Sequence, residues 1–562
     1  MTDSEKTQVK TASSQDISVQ QDAEPEAEPK PDPDSKQYSE ESTIDPRNEV
    51  KGARLVPIFT AVCMFTFLVG LDLNMIATAI PVITDHFNSI TDVGWYGSSF
   101  MLALCSAQPL AGKTYTLFHK KLVYLVYVGI LEVGSLVCAL APTSKALIVG
   151  RAIAGLGASG IFAGGFVVVT TIIPLRKRAI YTGTMSSTFA IASIIGPIIG
   201  GALTEHATWR WCFYINLPIG GFAALLFIPF FHIHSDASEK QDLRTKLKGL
   251  DGLGFSLFAG STTMLLLALQ WGGVTYAWDS SVIIGLFVGY GLAFLIFIAW
   301  QIYMKDHALI PPRLFTVHRN VWLICASSFF VNGPFQVIIY WLPIWFQAVL
   351  GASPTQSGVN YFPTVIADAV AAFVGAGVIV QAVGWWNPFL LLAEALVCIG
   401  GGLLSTIYPE ISSGHWIGYQ ILAGFGFSLA GNLAHLGMQA TLPMELVPLG
   451  ATTLLTVIST SCAIFTAIGQ TIFQKRLMVN LSTVVSPETV QNIISAGATN
   501  IDSVVDSAVL LTVVREYGKS VTQVFYVPAG APIISFILVA FTKWISTKKS
   551  APVIAEDEES RK

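Results

Sequence analysis

The chain has 562 residues, 52% hydrophobic and 12% charged, with a formal net charge of −4 and a mean hydropathy of +0.60. That balance excludes a string of soluble domains and places the protein in the membrane class. The small net charge, with basic residues scattered among short loops, also argues against a nucleic-acid partner.

Residues 1–55 are rich in Asp, Glu, Lys, Ser, Gln and Pro, too polar to bury enough surface to offset ordering, and read as a disordered cytoplasmic tail. A spanning helix needs roughly 20 mostly apolar residues. On that criterion spans are expected at 56–81, 94–112, 122–141, 146–173, 180–203 and 212–232, forming an N-terminal six-helix bundle over 56–232. Two further spans at 252–271 and 281–303 lie in a linker region, 233–320, with its cytoplasmic loops. A second six-helix bundle, 321–543, follows with spans near 321–349, 358–381, 387–408, 415–440, 450–474 and 521–543, and residues 544–562 form a cytoplasmic tail. The fold class is therefore an all-α polytopic membrane protein of fourteen spans.

Orientation follows from the positive-inside bias of short loops. With the N-terminus inside, the cytoplasmic loops receive Lys113, Lys120, Lys121, Arg176, Lys177, Arg178, Lys240, Arg244, Lys246, Lys248, Lys305, Arg313 and Arg319, whereas the opposite loops hold little beyond Lys145 and Arg210. The later cytoplasmic loops, 382–386 and 441–449, carry no Lys or Arg, so the count in the second half rests on hydropathy. An external segment is expected at 475–520, where Asn480-Leu481-Ser482 is a candidate glycosylation sequon. Within it, Ser486-Pro487-Glu488 resembles a helix start followed by Val490, Ile493 and Ile494 at helical spacing.

Seven cysteines, Cys63, Cys105, Cys138, Cys212, Cys325, Cys398 and Cys462, fall in apolar runs without metal-holding spacing and read as packing residues. No metal or cofactor is expected. Six ionisable residues stand deep inside apolar spans: Asp72, Glu132, Arg151, Asp368, Glu394 and His435. Charges in hydrocarbon are expensive enough to imply a purpose. Burial disfavours a carboxylate's charged form, so a buried acid can load and release a proton. Asp72, Glu132 and Asp368 are candidate proton carriers, Arg151 a candidate counter-charge, and Glu394 a similar candidate in the second half. His435 alone in a helix reads more readily as a packing residue. Gly155, Gly160 and Gly164 line the fourth span. Gly196, Pro197 and Gly200 in the fifth favour a bend against a close neighbour. Around the ninth span Asn332, Phe335, Gln336, Tyr340, Trp341, Trp345, Phe346 and Gln347 combine rings with a few polar groups, suiting a bulky, mostly apolar ligand.

Several motifs carry a family resemblance. The run Leu71-Asp72-Leu73-Asn74-Met75-Ile76-Ala77-Thr78-Ala79-Ile80-Pro81 is similar to the first-helix motif of major facilitator superfamily drug antiporters. Gly112-Lys113 through His119-Lys120-Lys121 occupies that superfamily's cytoplasmic loop motif, and Arg151-Ala152-Ile153-Ala154-Gly155 resembles the fourth-helix motif. Gly196-Pro197-Ile198-Ile199-Gly200-Gly201 looks like the motif associated with antiporters, and the stretch from Trp209 to Gly221 is close to a segment typical of fourteen-span drug:proton antiporters. Gln270-Trp271-Gly272-Gly273, Leu342-Pro343-Ile344-Trp345-Phe346-Gln347 and Ser357-Gly358-Val359 read like fungal toxin or drug efflux pumps of that group. The resemblance covers 56–543. It implies two six-helix bundles with two additional helices at the side. One departure concerns the loop motif, where Thr116 stands in place of an aspartate and His119 in place of a second glycine. The resemblance makes Gly112, Lys120 and Lys121 gate elements, although positive-inside anchoring would also account for the lysines.

No catalytic set and no Walker-type phosphate loop is present in the sequence, so the protein is not read as an enzyme or an ATP-driven pump. The expected function is proton-coupled efflux of amphipathic small molecules by alternating access in a lipid bilayer, by a monomer. A proton-coupled importer, of siderophore-like compounds for instance, and a non-transporting receptor are the alternatives. The plasma membrane is the expected location, with the vacuolar membrane as the alternative and both termini cytoplasmic.

Overall fold

Apolar segments can satisfy their own backbone groups in hydrocarbon only as helices or closed barrels. In the computed structural model the regular elements of the described residues are helices. The structure describes residues 50, 52–87, 93–233, 242–273, 276–352, 354–372, 380–443, 446–486, 489–490, 505 and 507–546. Most of both expected tails, and Pro487, Glu488, Ile493 and Ile494 of the expected surface helix, lie outside these residues.

The first group comprises α1 (Leu55–Phe87), α2 (Val93–Leu117), α3 (Lys120–Leu140), α4 (Ser144–Ile172), α5 (Leu175–His206) and α6 (Asn216–Phe230). Two more helices follow, α7 (Gly252–Trp271) and α8 (Ser281–Met304). The second group is α9 (Arg319–Leu350), α10 (Pro354–Val370), α11 (Asn387–Leu404), α12 (Ser413–Thr441), α13 (Val447–Leu481), and the pair α14 (Ser507–Val524) and α15 (Tyr526–Ala540). Among the described residues 12 helices are long and apolar enough to cross a membrane. α2 and α10 fill the two remaining expected positions. Their polarity has a use: α2 turns Ser106, Gln108 and Lys113 inward, and α10 does the same with Ser357, Thr364 and Asp368. The arrangement is compatible with fourteen spans.

The expected external segment at 475–520 contains helix at both ends. α13 runs on to Leu481 and helix resumes at Ser507, because the apolar stripe of α13 does not stop at the end of its span. Phe473, Leu477 and Leu481 recur every fourth residue and share a core with Val513, Tyr517 and Val521 of α14. The Phe473 and Tyr517 rings meet at 5.4 Å.

Within the first group the closest pairings are α3 with α4, α1 with α5 and α2 with α4. In the second they are α11 with α12, α9 with α13, and α15 with both α11 and α9. The two groups meet through α2 and α4 on α13, and through α5 on α12 and α10. Three contacts define this seam. A side chain at Gly112 would overlap Thr452, Phe166 stacks on His435 with ring centroids 4.1 Å apart and planes 18° from parallel, and Gly183 abuts Ala372. All three fall in the helix halves next to the loops that carry Lys120, Lys121 and Lys177. This is called the basic end below.

α7 and α8 pack on each other, and α7 also touches α2 and α13. Asp251 sits in the left-handed region at φ 51° and caps α7, accepting from Gly254 N at 2.9 Å. Its carboxylate also accepts from Trp300 Nε1 at 2.8 Å and Leu309 N at 2.8 Å. Lys113 of α2 donates to the neighbouring Ala308 carbonyl at 2.5 Å, clasping the pair to the first group.

Candidate functional site

Asp72 lies midway along α1, where the helix is buried on nearly every side. Its Oδ2 accepts from Arg151 Nη1 of α4 at 2.5 Å, with neither side chain more than 1% exposed. Arg151 is held from three directions: its Nε donates to the Tyr96 carbonyl at 3.0 Å, and its guanidinium lies over the Phe100 ring at 4.5 Å. Gly155, one turn along α4, allows this approach, since a side chain there would strike the Phe100 carbonyl. The Tyr96 hydroxyl donates to Ser144 Oγ at 2.9 Å, anchoring α2 to α4.

The second carboxylate oxygen, Asp72 Oδ1, accepts from Asn216 Nδ2 at 3.0 Å, and the same amide donates to Ser135 Oγ of α3 at 2.9 Å. Asn216 opens α6 and stitches α1, α3 and α6 around the ion pair. Its position within the Trp209–Gly221 stretch was the available signal, but an asparagine at a helix start reads first as an interfacial polar residue. Glu132 lies one turn before Ser135 on α3. Both its carboxyl oxygens are buried without a hydrogen-bond partner. Gly220, one turn after Asn216, faces that carboxyl, and any side chain at 220 would overlap it.

Chemically, the cluster pairs a neutralised Asp72–Arg151 couple with an uncompensated carboxyl at Glu132. Breaking a buried pair by removing one partner costs about 3–5 kcal/mol because the other charge is left alone. Anything that draws Arg151 from Asp72 toward Glu132 exchanges one paired carboxylate for another. In a dry site such an exchange would be a switch of charge partners.

The other expected residues are distributed elsewhere. Asp368 belongs to the seam of α10 and α12, where Ser428 Oγ donates to its backbone carbonyl at 2.9 Å, far in sequence from the Asp72 cluster. Gly200 and Gly196 of α5 pack on Met75 and Asn74 of α1, while Gly201 faces open space. Asn74 Nδ2 reaches Ser193 Oγ of α5 at 3.1 Å, just before the point where Pro197 interrupts the helix. Gly160 and Gly164 of α4 receive the rings of Tyr127, Tyr115 and Tyr124. Of the gate candidates, Gly112 takes part in the seam with α13, whereas Lys121 Nζ donates to the Ile228 carbonyl of α6 within its own group at 2.6 Å.

The residues around the ninth span have different surroundings. Trp341 is packed against Phe473 at 4.4 Å, Tyr340 is half exposed, Asn332 bonds its own helix at the Ser328 carbonyl, Gln336 is only partly buried, and Gln347 reaches Ser357 of α10 at 3.5 Å. His435, expected to be a packing residue, is buried and packs on Phe166 across the seam. On its helix Ser428, Asn432, His435 and Gln439 share one face, a polar stripe that single-residue inspection missed. Asn480 of the sequon sits in the last turn of α13 and donates to Ser520 Oγ of α14 at 2.9 Å. A cavity of about 520 Å³ opens at the basic end beside Phe59, Thr60, Lys177 and Tyr181. Along α1 it lies about 20 Å from Asp72 at the usual helical rise.

A profile described as Major Facilitator Superfamily matches residues 62–470. The efflux pump roqT of Penicillium rubens is 41% identical over 495 residues, covering 88% of this chain and 92% of that protein. The MFS-type efflux pump MFS1 of Trichophyton rubrum is 40% identical, covering 89% and 93%, and the efflux pump aflT of Aspergillus parasiticus 38%, covering 90% and 98%. Among solved structures, the human organic anion transporter MFSD10 aligns with a TM-score of 0.55 at 13% identity, covering 87% of this chain and 100% of that one. The proton:xylose symporter XylE aligns with a TM-score of 0.56 at 13% identity, covering 89% and 98%.

Proposed function

Because the chain belongs to the Major Facilitator Superfamily, we propose that it exports amphipathic small molecules in exchange for protons, with the cluster around Asp72 as the coupling site. It is a multi-pass membrane transporter and not an enzyme, and its fungal relatives are named efflux pumps. The observation that carries the coupling is the buried Asp72–Arg151 pair, bridged by Asn216 to the α3 face that bears the partnerless carboxyl of Glu132. A proton entering from outside neutralises one carboxyl, Arg151 shifts its allegiance, and α1 and α4 change their packing.

The seam at the basic end indicates which state of this cycle the arrangement matches. If the basic loops are cytoplasmic, as the positive-inside rule implies, the cytoplasmic side is closed here and the protein faces outward. The closure is made by Gly112 on Thr452 and by Phe166 on His435, contacts that do not use the aspartate absent at Thr116. Lys120 and Lys121 flank this end and hold the α3 entry. Asp368, beside the α5–α10 contact, senses the opening of the same seam.

Inverted membrane vesicles test the reading. With an inward-acid gradient they accumulate rhodamine 6G if the protein is an exporter, and Asp72→Asn removes the accumulation. Uptake confined to right-side-out vesicles would make it an importer, and uptake in neither would leave a receptor.

A further inference from the structure

Among the described residues only two carboxyl groups have both oxygens buried and without a hydrogen-bond partner, Glu132 and Glu394. They recur in matching places. Each stands on the third helix of its group, α3 or α11, and each faces the sixth element, α6 or α15, where that element carries a small residue, Gly220 or Ser535. We propose that Glu394 is a second proton-binding site, so that each transport cycle exchanges two protons, one through each bundle. This rests on the proton-coupled reading above.

Glu394 is 0% exposed. Ser535 lies beside it but directs its hydroxyl proton to the Ser327 carbonyl of α9 at 2.9 Å. No counter-charge is in reach. α15 contains no ionisable residue but Tyr526 at its far end, α9 has Arg319 at its start, and α12 has only His415 and Tyr419 near its start and His435, which is engaged with Phe166. The titratable neighbours are thiols, Cys398 one turn along α11 and Cys325 on α9. An ionised carboxylate in such a place, with no counter-charge and with the adjacent Ser535 hydroxyl turned to another carbonyl, is costly, and in the proposal the carboxyl carries its proton in this state.

The same helix face provides a way to release it. Gly401 approaches the backbone of Pro528 on α15, and Cys398 Sγ donates to the Ala529 carbonyl at 2.8 Å. Pro532, having no N–H, leaves the Pro528 carbonyl without its helical donor. A seam of small residues against an interrupted helix opens readily. When α15 moves off α11, water enters, the carboxyl becomes carboxylate plus a proton given to that water, and a proton from the opposite side later restores the acid. No other reactant is needed.

The full-length protein in proteoliposomes, with membrane potential clamped at zero, tests this in two ways. First, dicyclohexylcarbodiimide, which modifies protonated carboxyls in apolar surroundings, is applied at pH 6 and pH 9 and the adducts are mapped by mass spectrometry. The proposal expects Glu394 to be labelled at pH 6 and markedly less at pH 9. Equal labelling at both, or none at either, overturns it. Second, rhodamine 6G accumulation is measured against the imposed pH difference. For two protons the ratio changes about 100-fold per pH unit, and in Glu394→Gln, an uncharged isostere, about tenfold. An unchanged slope in the variant overturns the second site. If the wild type moves no dye under any gradient while Glu394 labelling still falls with pH, the export reading fails and the proton site stands.

Discussion

Arg151 has no contact with water and one carboxylate to balance it. Asp72→Asn therefore leaves a buried guanidinium alone, and we expect a loss of about 3–5 kcal/mol, read as a lowered melting temperature in detergent together with abolished export. Asp72→Asn combined with Arg151→Gln should regain much of the stability and none of the transport. That separation identifies the pair as functional rather than merely structural. Asn216→Ala strands Asp72 Oδ1 and Ser135 Oγ and should cost about 1–3 kcal/mol, measured by the same melting assay. Asp72, Glu132 and Arg151 were legible as ionisable residues in apolar runs. Their arrangement was not, because the ion pair joins positions 79 apart and no spacing rule encodes which helices face each other. The stripe of Asn432, His435 and Gln439 escaped for a related reason: a histidine looks like core filling until the ring opposite it is known.

At the level of helices, glycine motifs make contrasting claims that substitution can read. Gly200→Leu should block transport, since even a Cβ there collides with Met75 and Thr78, whereas Gly201→Ala should be neutral because nothing lies within 4 Å. An efflux assay normalised to surface expression distinguishes them. Asn480→Gln should leave gel mobility unchanged, because the sequon's amide is used in packing α13 on α14. The order of the long helices was readable from hydropathy, and twelve of them are apolar enough to span by that measure among the described residues. The ends of α13 and α14 were not, since an apolar stripe that continues beyond the bilayer carries the same signal as one within it, and a hydropathy window registers average composition rather than which face is covered. α2 shows the converse. Its inward Ser106, Gln108 and Lys113 lower its hydropathy although it is central to the seam.

For the whole molecule, the decisive feature is that the two bundles touch at the basic end. Gly183→Cys with Ala372→Cys places two thiols across α5 and α10 at a contact where a Cβ on residue 183 would lie 2.8 Å from that of Ala372. Oxidation should fix this end shut and stop export, and reductant should restore it. Persistence of transport after complete cross-linking would show that the contact does not open during the cycle. The two-bundle organisation was foreseeable from span count and motif order. Where the bundles meet was not, because contacts between helices distant in sequence leave no mark in hydropathy.

The clasp of Lys113 on the Ala308 carbonyl has a consequence for how cargo arrives. It fastens α7 and α8 beside α2, with α7 also leaning on α13, so the flank where those two bundles' helices meet is screened from acyl chains. A lipophilic molecule dissolved in the leaflet would then have to enter by a flank of the bundles other than this one.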